Sequence, residues 1–336
     1  MRLFIKIMLI LIVLFISVSA IVWNQYQQFM TTPLQVNEQG YVYTVAKGSN
    51  LQQISQELHD AGLTNLPALY LHIYGRLTHK AHLIKAGEYR IKPHTTLSEL
   101  LDQLIAGQVI QYSFTIIEGM TAQQLITMVT SDSRLTKTLT DTNLSTVMTA
   151  LGFPLNNGEG EFAPETYNFT AGTTDLQLLR RAHHLMTRDL EKAWATKAEN
   201  LPYKTPYEAL IMASIIEKET GIAEERAQIA GVFVRRLELG MRLQTDPTVI
   251  YGLGTSFDGN LRRKDLTTDT TYNTYTRNGL PPTPIALPSK EAIEAALHPL
   301  AGNSLFFVAT GRDGRHVFSA TLADHNKAVR QYQLKQ

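Results

Sequence analysis

An α+β fold behind an N-terminal membrane helix is the architecture that this 336-residue chain predicts. Residues 7–23 form an uninterrupted, mostly apolar run, which is long enough for a short membrane span. Two later segments, Tyr43–Ile54 and Phe114–Leu125, each have the pattern of a short strand, a glycine turn, a polar cap and an amphipathic helix. Long helical patterns then precede a single hairpin pattern, which predicts a second domain of helices and short strands.

The apolar run is flanked as a membrane anchor would be. Arg2 and Lys6 precede it and should stay in the cytoplasm, and Trp23 stands where an interfacial aromatic residue is expected. The alternative is a cleaved signal peptide, because Val18-Ser-Ala20 resembles a small-residue cleavage site. We favour the anchor because the apolar run continues beyond this site. Both interpretations place everything after about residue 25 on the far side of the membrane.

The amino-acid composition argues against several classes of partner and site. Lysine and arginine number 31 against 30 aspartates and glutamates, and this balance argues against nucleic acid as a partner. The chain has no cysteine, which excludes disulfides and thiolate metal sites and fits an extracytoplasmic compartment.

The first domain is predicted from the earlier of the two repeated segments. It should be a strand-helix-helix-strand unit with a glycine turn at Gly48 and a further helix capped by Thr95 or Thr96. This order resembles the LysM fold, a small glycan-binding module; a packing repeat with no binding role is the alternative. We expect a linker over 24–40 and this LysM-like subdomain over 41–112, with helices at 51–59, 66–74 and 97–105 and a strand at 87–91.

The second domain, over 113–336, begins with a polar and aromatic loop at 158–168. A turn-rich stretch at 251–288 is long for a compact domain, and such loops usually carry function. We expect helices from about Asp175, over 205–220 and over 223–239, a short strand from Met241, a hairpin of 305–310 with 316–320, and a last helix capped by Thr321.

The helix over 205–220 is the most informative element. Thr205 and Glu208 predict a capping box, Pro206 suits the first helical position, and Gly221 is a natural left-handed stop. Apolar residues at 210–213, 215 and 216 surround nearly its whole circumference, so we expect it to be buried.

Two carboxylates end this helix. Glu217 and Glu219 lie roughly 200° apart around the axis and cannot share a face. The negative end of the helix dipole and partial burial should both raise a carboxyl pKa there, and an acid that stays protonated near neutral pH suits general acid catalysis. The alternative is that both glutamates are exposed and flank Lys218 at a frayed end.

Other chemistries lack their motifs. The ten histidines include no HExxH pattern and no two histidines paired at short spacing with an acid, so we expect no metal. No phosphate-binding loop, G-x-S-x-G or S-x-x-K is present, and we expect no cofactor. His316 and His325 are expected to be packing or surface residues. Carboxylate chemistry remains.

Several polar and aromatic residues are candidates for holding a ligand. Amides, carboxylates and aromatic rings close together are typical of a carbohydrate groove. Asp246, followed by Pro247, is expected first to cap a new helix, and Tyr251 on that helix has a core position as its alternative. The candidates are Gln244, Asp246, Tyr251, Asn273 and Tyr275.

These motifs together resemble the endolytic murein transglycosylases, the MltG or YceG-like family. The resemblance runs from about residue 40 to the end and includes the N-terminal span. It implies that Glu219 is catalytic and that Glu217 tunes or orients it. It also draws attention to Glu165, because relatives carry aspartate there. The matching motifs are Glu217-Lys-Glu-Thr220, Arg242–Gly252, Tyr272-Asn-Thr-Tyr275, Gly279-Leu-Pro-Pro282, His298-Pro299 and Ala323-Asp-His-Asn326.

The resemblance also implies an activity. The family cleaves the β-1,4 bond between N-acetylmuramic acid and N-acetylglucosamine within peptidoglycan strands, without water, and leaves a 1,6-anhydro end. Protonated Glu219 would donate to the glycosidic oxygen, and its carboxylate would then accept the proton of the attacking C6 hydroxyl. The expected setting is the periplasmic side of the bacterial inner membrane, beside peptidoglycan synthases, with glycan strands as substrate and a role in ending new strands. A non-catalytic peptidoglycan-binding scaffold and a water-using hydrolase are the alternatives.

Overall fold

A computed structural model describes residues 2–153, 157–311 and 313–334 of the protein. The helices are α1 (Arg2–Thr31), α2 (Leu51–Asp60), α3 (Ala68–Leu77), α4 (Leu97–Ala106), α5 (Ala122–Ser131), α6 (Leu144–Leu151), α7 (Asp175–Ala195), α8 (Pro206–Glu219), α9 (Ala223–Glu238), α10 (Asp246–Leu253), α11 (Arg263–Thr267), α12 (Lys290–Leu297) and α13 (Leu322–Tyr332). The strands are β1 (Tyr41–Val45), β2 (Gly87–Ile91), β3 (Tyr112–Thr115), β4 (Thr166–Phe169), β5 (Phe306–Ala309) and β6 (His316–Ser319). The predicted α+β class is confirmed.

The chain divides into two compact units. Unit 1 runs up to Tyr112 and also includes Asn168–Gly172, whereas unit 2 comprises Ser113–Tyr167 and the chain from Thr173 onward.

Helix α1 begins unit 1. It is long and apolar enough to cross a membrane, with a mean hydropathy of 2.9 in its most apolar window, none of which is buried. A signal sequence would have the same properties. The helix continues to Thr31, so the first part of the predicted linker over 24–40 is helical, and Phe29 is buried in the core of unit 1.

The rest of unit 1 has the predicted order of elements. Strands β1 and β2 pair antiparallel, from Tyr41 opposite Ile91 to Val45 opposite Gly87, with α2 and α3 between them in sequence. Gly48 takes a left-handed φ of +88° in the predicted turn, which glycine adopts without steric cost. Thr96, and not Thr95, caps α4. The LysM-like character and the glycan-binding role remain predictions.

Helix α8 is the centre of unit 2. Every residue from Ala209 to Ile216 is buried, as the apolar pattern predicts. The predicted capping box is only half present: Thr205 Oγ1 accepts from the Glu208 N–H at 3.3 Å, but the Glu208 carboxylate accepts from the Lys204 N–H instead. The predicted glycine stop is wrong, because Thr220 leaves the helix in an extended conformation with φ −146° and Gly221 needs no left-handed φ.

The chain between α9 and α10 also differs from the prediction. Residues 241–245 form no strand, because Gln244 has a left-handed φ of +50° that interrupts an extended chain. The cap of α10 is Thr245, and Asp246 is the first helical residue. Asp246 does not cap the helix because its carboxylate accepts a hydrogen bond from Tyr275.

The last part of unit 2 matches the sequence pattern. Strands β5 and β6 form the predicted antiparallel hairpin, with Phe306 opposite Ser319 and Ala309 opposite His316. Thr321 caps α13 through its side chain, which accepts from the Asp324 N–H. The hairpin and α13 supply one wall of the cavity described next.

Candidate active site

A cavity of about 520 Å³ lies in unit 2 at the C-terminal end of α8. Its wall combines one carboxyl from α8, polar groups from the α9–α10 connection, an aromatic hairpin and one face of α13. The residues that line it include Glu219, Arg236, Gln244, Asp246, Tyr275, Phe306, Phe307, His316, His325 and Asn326.

Glu219 is the central acid of this cavity. Its side chain is partly buried, and Thr245 Oγ1 donates a short hydrogen bond to its Oε1. Burial raises the pKa of Glu219 to about 7, and the negative charge of Asp246 adds to the rise. The Thr245 hydrogen bond, the positive charge of Arg236 and, when the ring is protonated, the charge of His316 oppose it. The desolvation cost therefore prevails, and the carboxyl is largely protonated below neutral pH and about half protonated at pH 7.

Asp246 and Tyr275 form a pair on the same wall. The Tyr275 hydroxyl donates to Asp246 Oδ1 at 2.6 Å. Burial and the neighbouring carboxylates of Asp246 and Glu219 raise the pKa of Tyr275, so the phenol stays protonated and can donate only one hydrogen. The hydrogen bond holds the two side chains together on the cavity wall.

Gln244 reaches the cavity through an unusual backbone conformation. A left-handed φ is uncommon for a residue other than glycine, and such outliers cluster at functional sites. The Gln244 N–H donates to the Thr274 carbonyl at 3.2 Å, which anchors this turn to the loop that also carries Tyr275. The amide side chain lines the cavity.

Arg236 joins the parts of the site to one another. Its guanidinium is buried and donates to the carbonyls of Leu305 at 2.7 Å, Leu243 at 2.7 Å and Arg242 at 3.3 Å. It therefore links α9 to the hairpin and to the turn that carries Gln244. Its charge also contributes to the field at Glu219.

His316 and Glu225 form a second ionisable pair at the cavity. His316 Nδ1 lies 2.8 Å from Glu225 Oε2, and the His316 backbone N–H donates to Glu225 Oε1 at 3.0 Å. The ring meets Phe307 edge-on at 5.4 Å. His316 was expected to be a packing or surface residue; the structure places it on the cavity wall.

The structure places the residues predicted from the sequence in different parts of unit 2. Glu219, Gln244, Asp246 and Tyr275 line the cavity. Asn273 is 1% exposed, and its amide donates to three carbonyls at the C-terminal end of α11, the shortest bond being 2.7 Å to Thr268. Asn273 therefore shapes the loop that presents Tyr275.

Tyr251 also lies away from the cavity wall. Its hydroxyl donates to Glu159 at 3.0 Å, and its ring packs edge-on against Tyr272 at 4.9 Å. The alternative core position considered for Tyr251 accounts for these contacts.

Glu217 and Glu165 line a different cavity, of about 640 Å³. Ser289 donates to Glu217 through its N–H at 2.9 Å and through its hydroxyl, and Arg226 Nη2 lies 3.9 Å from Glu217. Glu217 and Glu219 of α8 therefore face opposite ways, as their angular separation predicts. Glu217 is 6% exposed, so the alternative of two exposed glutamates is wrong, and Glu217 is not among the groups that shift the pKa of Glu219.

Comparisons with known proteins agree on one family. A family profile described as the YceG-like family matches residues 43–331. An endolytic murein transglycosylase of Streptococcus pneumoniae is 29% identical over 342 residues, which cover 92% of this chain and 61% of that protein. The chain thus spans about three fifths of the length of that relative.

Two further matches have more even coverage. An endolytic murein transglycosylase of Bacillus subtilis is 32% identical over 268 residues, which cover 74% of this chain and 73% of that protein. The crystal structure of a YceG-like protein from Listeria monocytogenes is 29% identical with a TM-score of 0.53, and the match covers 87% of this chain and 99% of that one.

Proposed function

The chain belongs to the YceG-like family, and we propose that it is a membrane-anchored endolytic transglycosylase of peptidoglycan. The observation that carries this proposal is the Glu219 carboxyl, which opens onto a polar and aromatic cavity and has a pKa of about 7. Two relatives are named endolytic murein transglycosylases.

The first half of the proposed reaction uses Glu219 as general acid. The protonated carboxyl donates to the glycosidic oxygen while the bond to C1 of N-acetylmuramic acid breaks through an oxocarbenium-like state. A pKa near the working pH is the optimum for such a group, because a large fraction of the carboxyl is then protonated and the carboxyl is still acidic enough to donate its proton. Thr245 and the nearby positive charges then stabilise the carboxylate that forms.

The second half uses the substrate's own C6 hydroxyl as nucleophile. Its oxygen attacks C1 and closes the 1,6-anhydro ring, so no carboxylate is needed to place a water, unlike in glycosidases with their paired acids. Asp246, the other carboxylate on the wall, is bound by Tyr275 and suits an electrostatic role. The Glu219 carboxylate is one acceptor for the C6 proton, as a single-glutamate scheme requires.

The remaining cavity residues hold the sugar. Gln244, Tyr275 and Asn326 offer amide and hydroxyl groups, and the rings of Phe306 and Phe307 line the same cavity. Polar groups fix the orientation of a sugar while rings pack on its apolar side. Holding the C6 hydroxyl near C1 and excluding water favours ring closure over hydrolysis.

Helix α1 supports the proposed location. As a single-pass anchor in the bacterial inner membrane it would confine unit 2 to the periplasmic side, where new glycan strands emerge. Peptidoglycan synthases are the corresponding proposed neighbours, and ending nascent strands is the corresponding role.

Analysis of digestion products tests the proposed function. The full chain in detergent is incubated with purified sacculi, and the released fragments are analysed by mass spectrometry. We expect new 1,6-anhydro ends within strands. Reducing ends would instead indicate a hydrolase, and no new ends would indicate a peptidoglycan-binding scaffold; either result contradicts the proposal.

The Asp246→Asn substitution tests the electrostatics of the site. It removes the negative charge that raises the pKa of Glu219, so the acid should lose its proton at lower pH. We expect the descending limb of the pH–rate profile to move to lower pH and the rate at pH 7 to fall roughly two- to fivefold. Release of anhydro ends, measured across the pH range, checks this.

Tyr275→Phe is the matched control for Asp246→Asn. It removes the hydrogen bond to Asp246 but keeps the charge at 246, so the descending limb should stay in place and the effect should fall on KM. A descending limb that does not move in Asp246→Asn, or that moves to higher pH, would contradict the assigned role of Asp246.

A further inference from the structure

The Glu225–His316 pair has the geometry of an oriented base. Both side chains are only 8% exposed, and the Glu225 carboxylate accepts from the backbone N–H and faces Nδ1 of the same histidine. A carboxylate at this nitrogen holds the hydrogen of a neutral imidazole on Nδ1, which leaves Nε2 as the acceptor. The carboxylate of a catalytic triad orients its histidine in the same way.

The ring of His316 is part of the wall of the cavity that contains Glu219. No hydrogen bond to Nε2 is made within the part of the chain that the structure describes. A positive charge on His316 acts on Glu219, so the two groups are electrostatic neighbours. The charged and titratable groups around the ring are Glu219 from α8, Glu225 and Arg236 from α9, Asp246 from α10, Tyr275 from the loop before α12, and His325 from α13.

We propose that His316, held by Glu225, is the base that takes the proton of the C6 hydroxyl, so that the acid and the base of the reaction are two different groups. This inference rests on the proposed transglycosylase function. Glu219 gives its proton to the leaving glycosidic oxygen as the C1–O bond breaks. The C6 oxygen forms the new bond to C1, and its proton passes to Nε2.

The step balances without a further reactant. It leaves a Glu219 carboxylate and a His316 imidazolium, two opposite charges in a largely buried site where their attraction is stronger than in water. Glu225 stabilises the imidazolium. Transfer of one proton from His316 back to Glu219 restores the enzyme after the product leaves.

The pH dependence of cleavage distinguishes this scheme from a single-glutamate scheme. With two groups, His316 must be neutral and Glu219 protonated, so the wild-type profile should be bell-shaped. With Glu219 alone, protonation is the only requirement, and His316 has no part in the profile. The full chain in detergent and purified glycan strands serve for the measurement.

Three variants identify which residue produces each limb of the pH–rate profile. His316→Gln should lower kcat by roughly 10²- to 10³-fold and remove the ascending limb, while the descending limb remains. Glu225→Gln keeps an acceptor for the backbone N–H but removes the carboxylate that orients the ring and stabilises the imidazolium formed in the reaction, so kcat should fall roughly tenfold or more. His325→Gln, at the other histidine of the cavity, should retain the ascending limb.

Chemical rescue distinguishes two roles for His316: a base in the reaction, or a purely structural contact between the hairpin and α9. His316→Ala leaves space for an imidazole molecule, so added imidazole should raise its rate severalfold, in proportion to the neutral form. If His316 had only a structural role, free imidazole would not restore the activity of His316→Ala. A wild-type profile without an ascending limb, or a His316→Gln variant that keeps both limbs, would overturn this inference while leaving the proposed function intact; absence of cleavage by the wild type at every pH would overturn both.

Discussion

Glu219→Gln is expected to reduce formation of anhydro ends by about 10³-fold or more, because it removes the proton that Glu219 would donate to the leaving oxygen. Glutamine has nearly the same shape, and its side-chain oxygen can still accept from Thr245. The fold should therefore be retained. Fragment release from sacculi, quantified by mass spectrometry, measures the loss.

The same variant has a predicted stability signature. Because the pKa of Glu219 is raised in the folded chain, the folded state resists ionisation that the unfolded state accepts. The two proteins should be equally stable below about pH 4, where the carboxyl is protonated in both states. As the pH rises toward 8, the wild type should lose up to about 3 kcal/mol relative to Glu219→Gln. Thermal unfolding at several pH values checks this.

Glu217→Gln is the matched control at the opposite face of α8. Its contacts are with Ser289 and Arg226, so it should lower stability modestly and change the cleavage rate only a fewfold. Substantial turnover by Glu219→Gln, or an equal loss in Glu217→Gln, would remove Glu219 from its assigned role.

Arg236→Met is expected to have the largest effect on stability. Methionine keeps much of the apolar stem but leaves three carbonyl oxygens without their donor. Each buried polar group left unsatisfied costs about 1–3 kcal/mol, and partial relaxation limits the total to about 3 kcal/mol. The midpoint of thermal unfolding should fall by roughly 6–12 °C. Activity should fall as well, because the hairpin and the Gln244 turn are no longer hydrogen-bonded to the same guanidinium.

Arg235→Met is the control for this prediction. Arg235 also donates to carbonyls, those of Ser304 and Leu300, but it is partly exposed and does not line the cavity. Its loss should cost less stability and leave the rate per folded molecule unchanged. If Arg236→Met unfolded at the wild-type temperature, the hydrogen bonds of Arg236 would not have the stabilising role proposed for them.

Helices α7, α8 and α9 of unit 2 were predictable because their signals are local, whereas α6 and α12 were not predicted. Apolar spacing and end caps fixed α7, α8 and α9 to within a few residues, and alternation around a glycine-containing turn identified the β5–β6 hairpin. The errors occurred where distant contacts override local preference. Asp246 looks like a helix cap, but Tyr275, 29 residues away, binds its carboxylate.

The candidate site was predictable only in part. Gln244, Asp246 and Tyr275 were found because they belong to motifs near Glu219. Thr245 stands between two of them and could have been found by asking what would bind the acid. The Glu225–His316 pair joins residues 91 positions apart, and neither has a local signal, so only the folded chain brings them together.

The central claim is that Glu219 stays protonated at the pH where the enzyme works. An infrared titration of the full chain in detergent, taken as the difference between wild type and Glu219→Gln, isolates the carbonyl band of this one carboxyl. We expect the band of the protonated form to disappear with a midpoint near pH 7. A midpoint near 4.5, the ordinary value for a glutamate in water, would contradict the account.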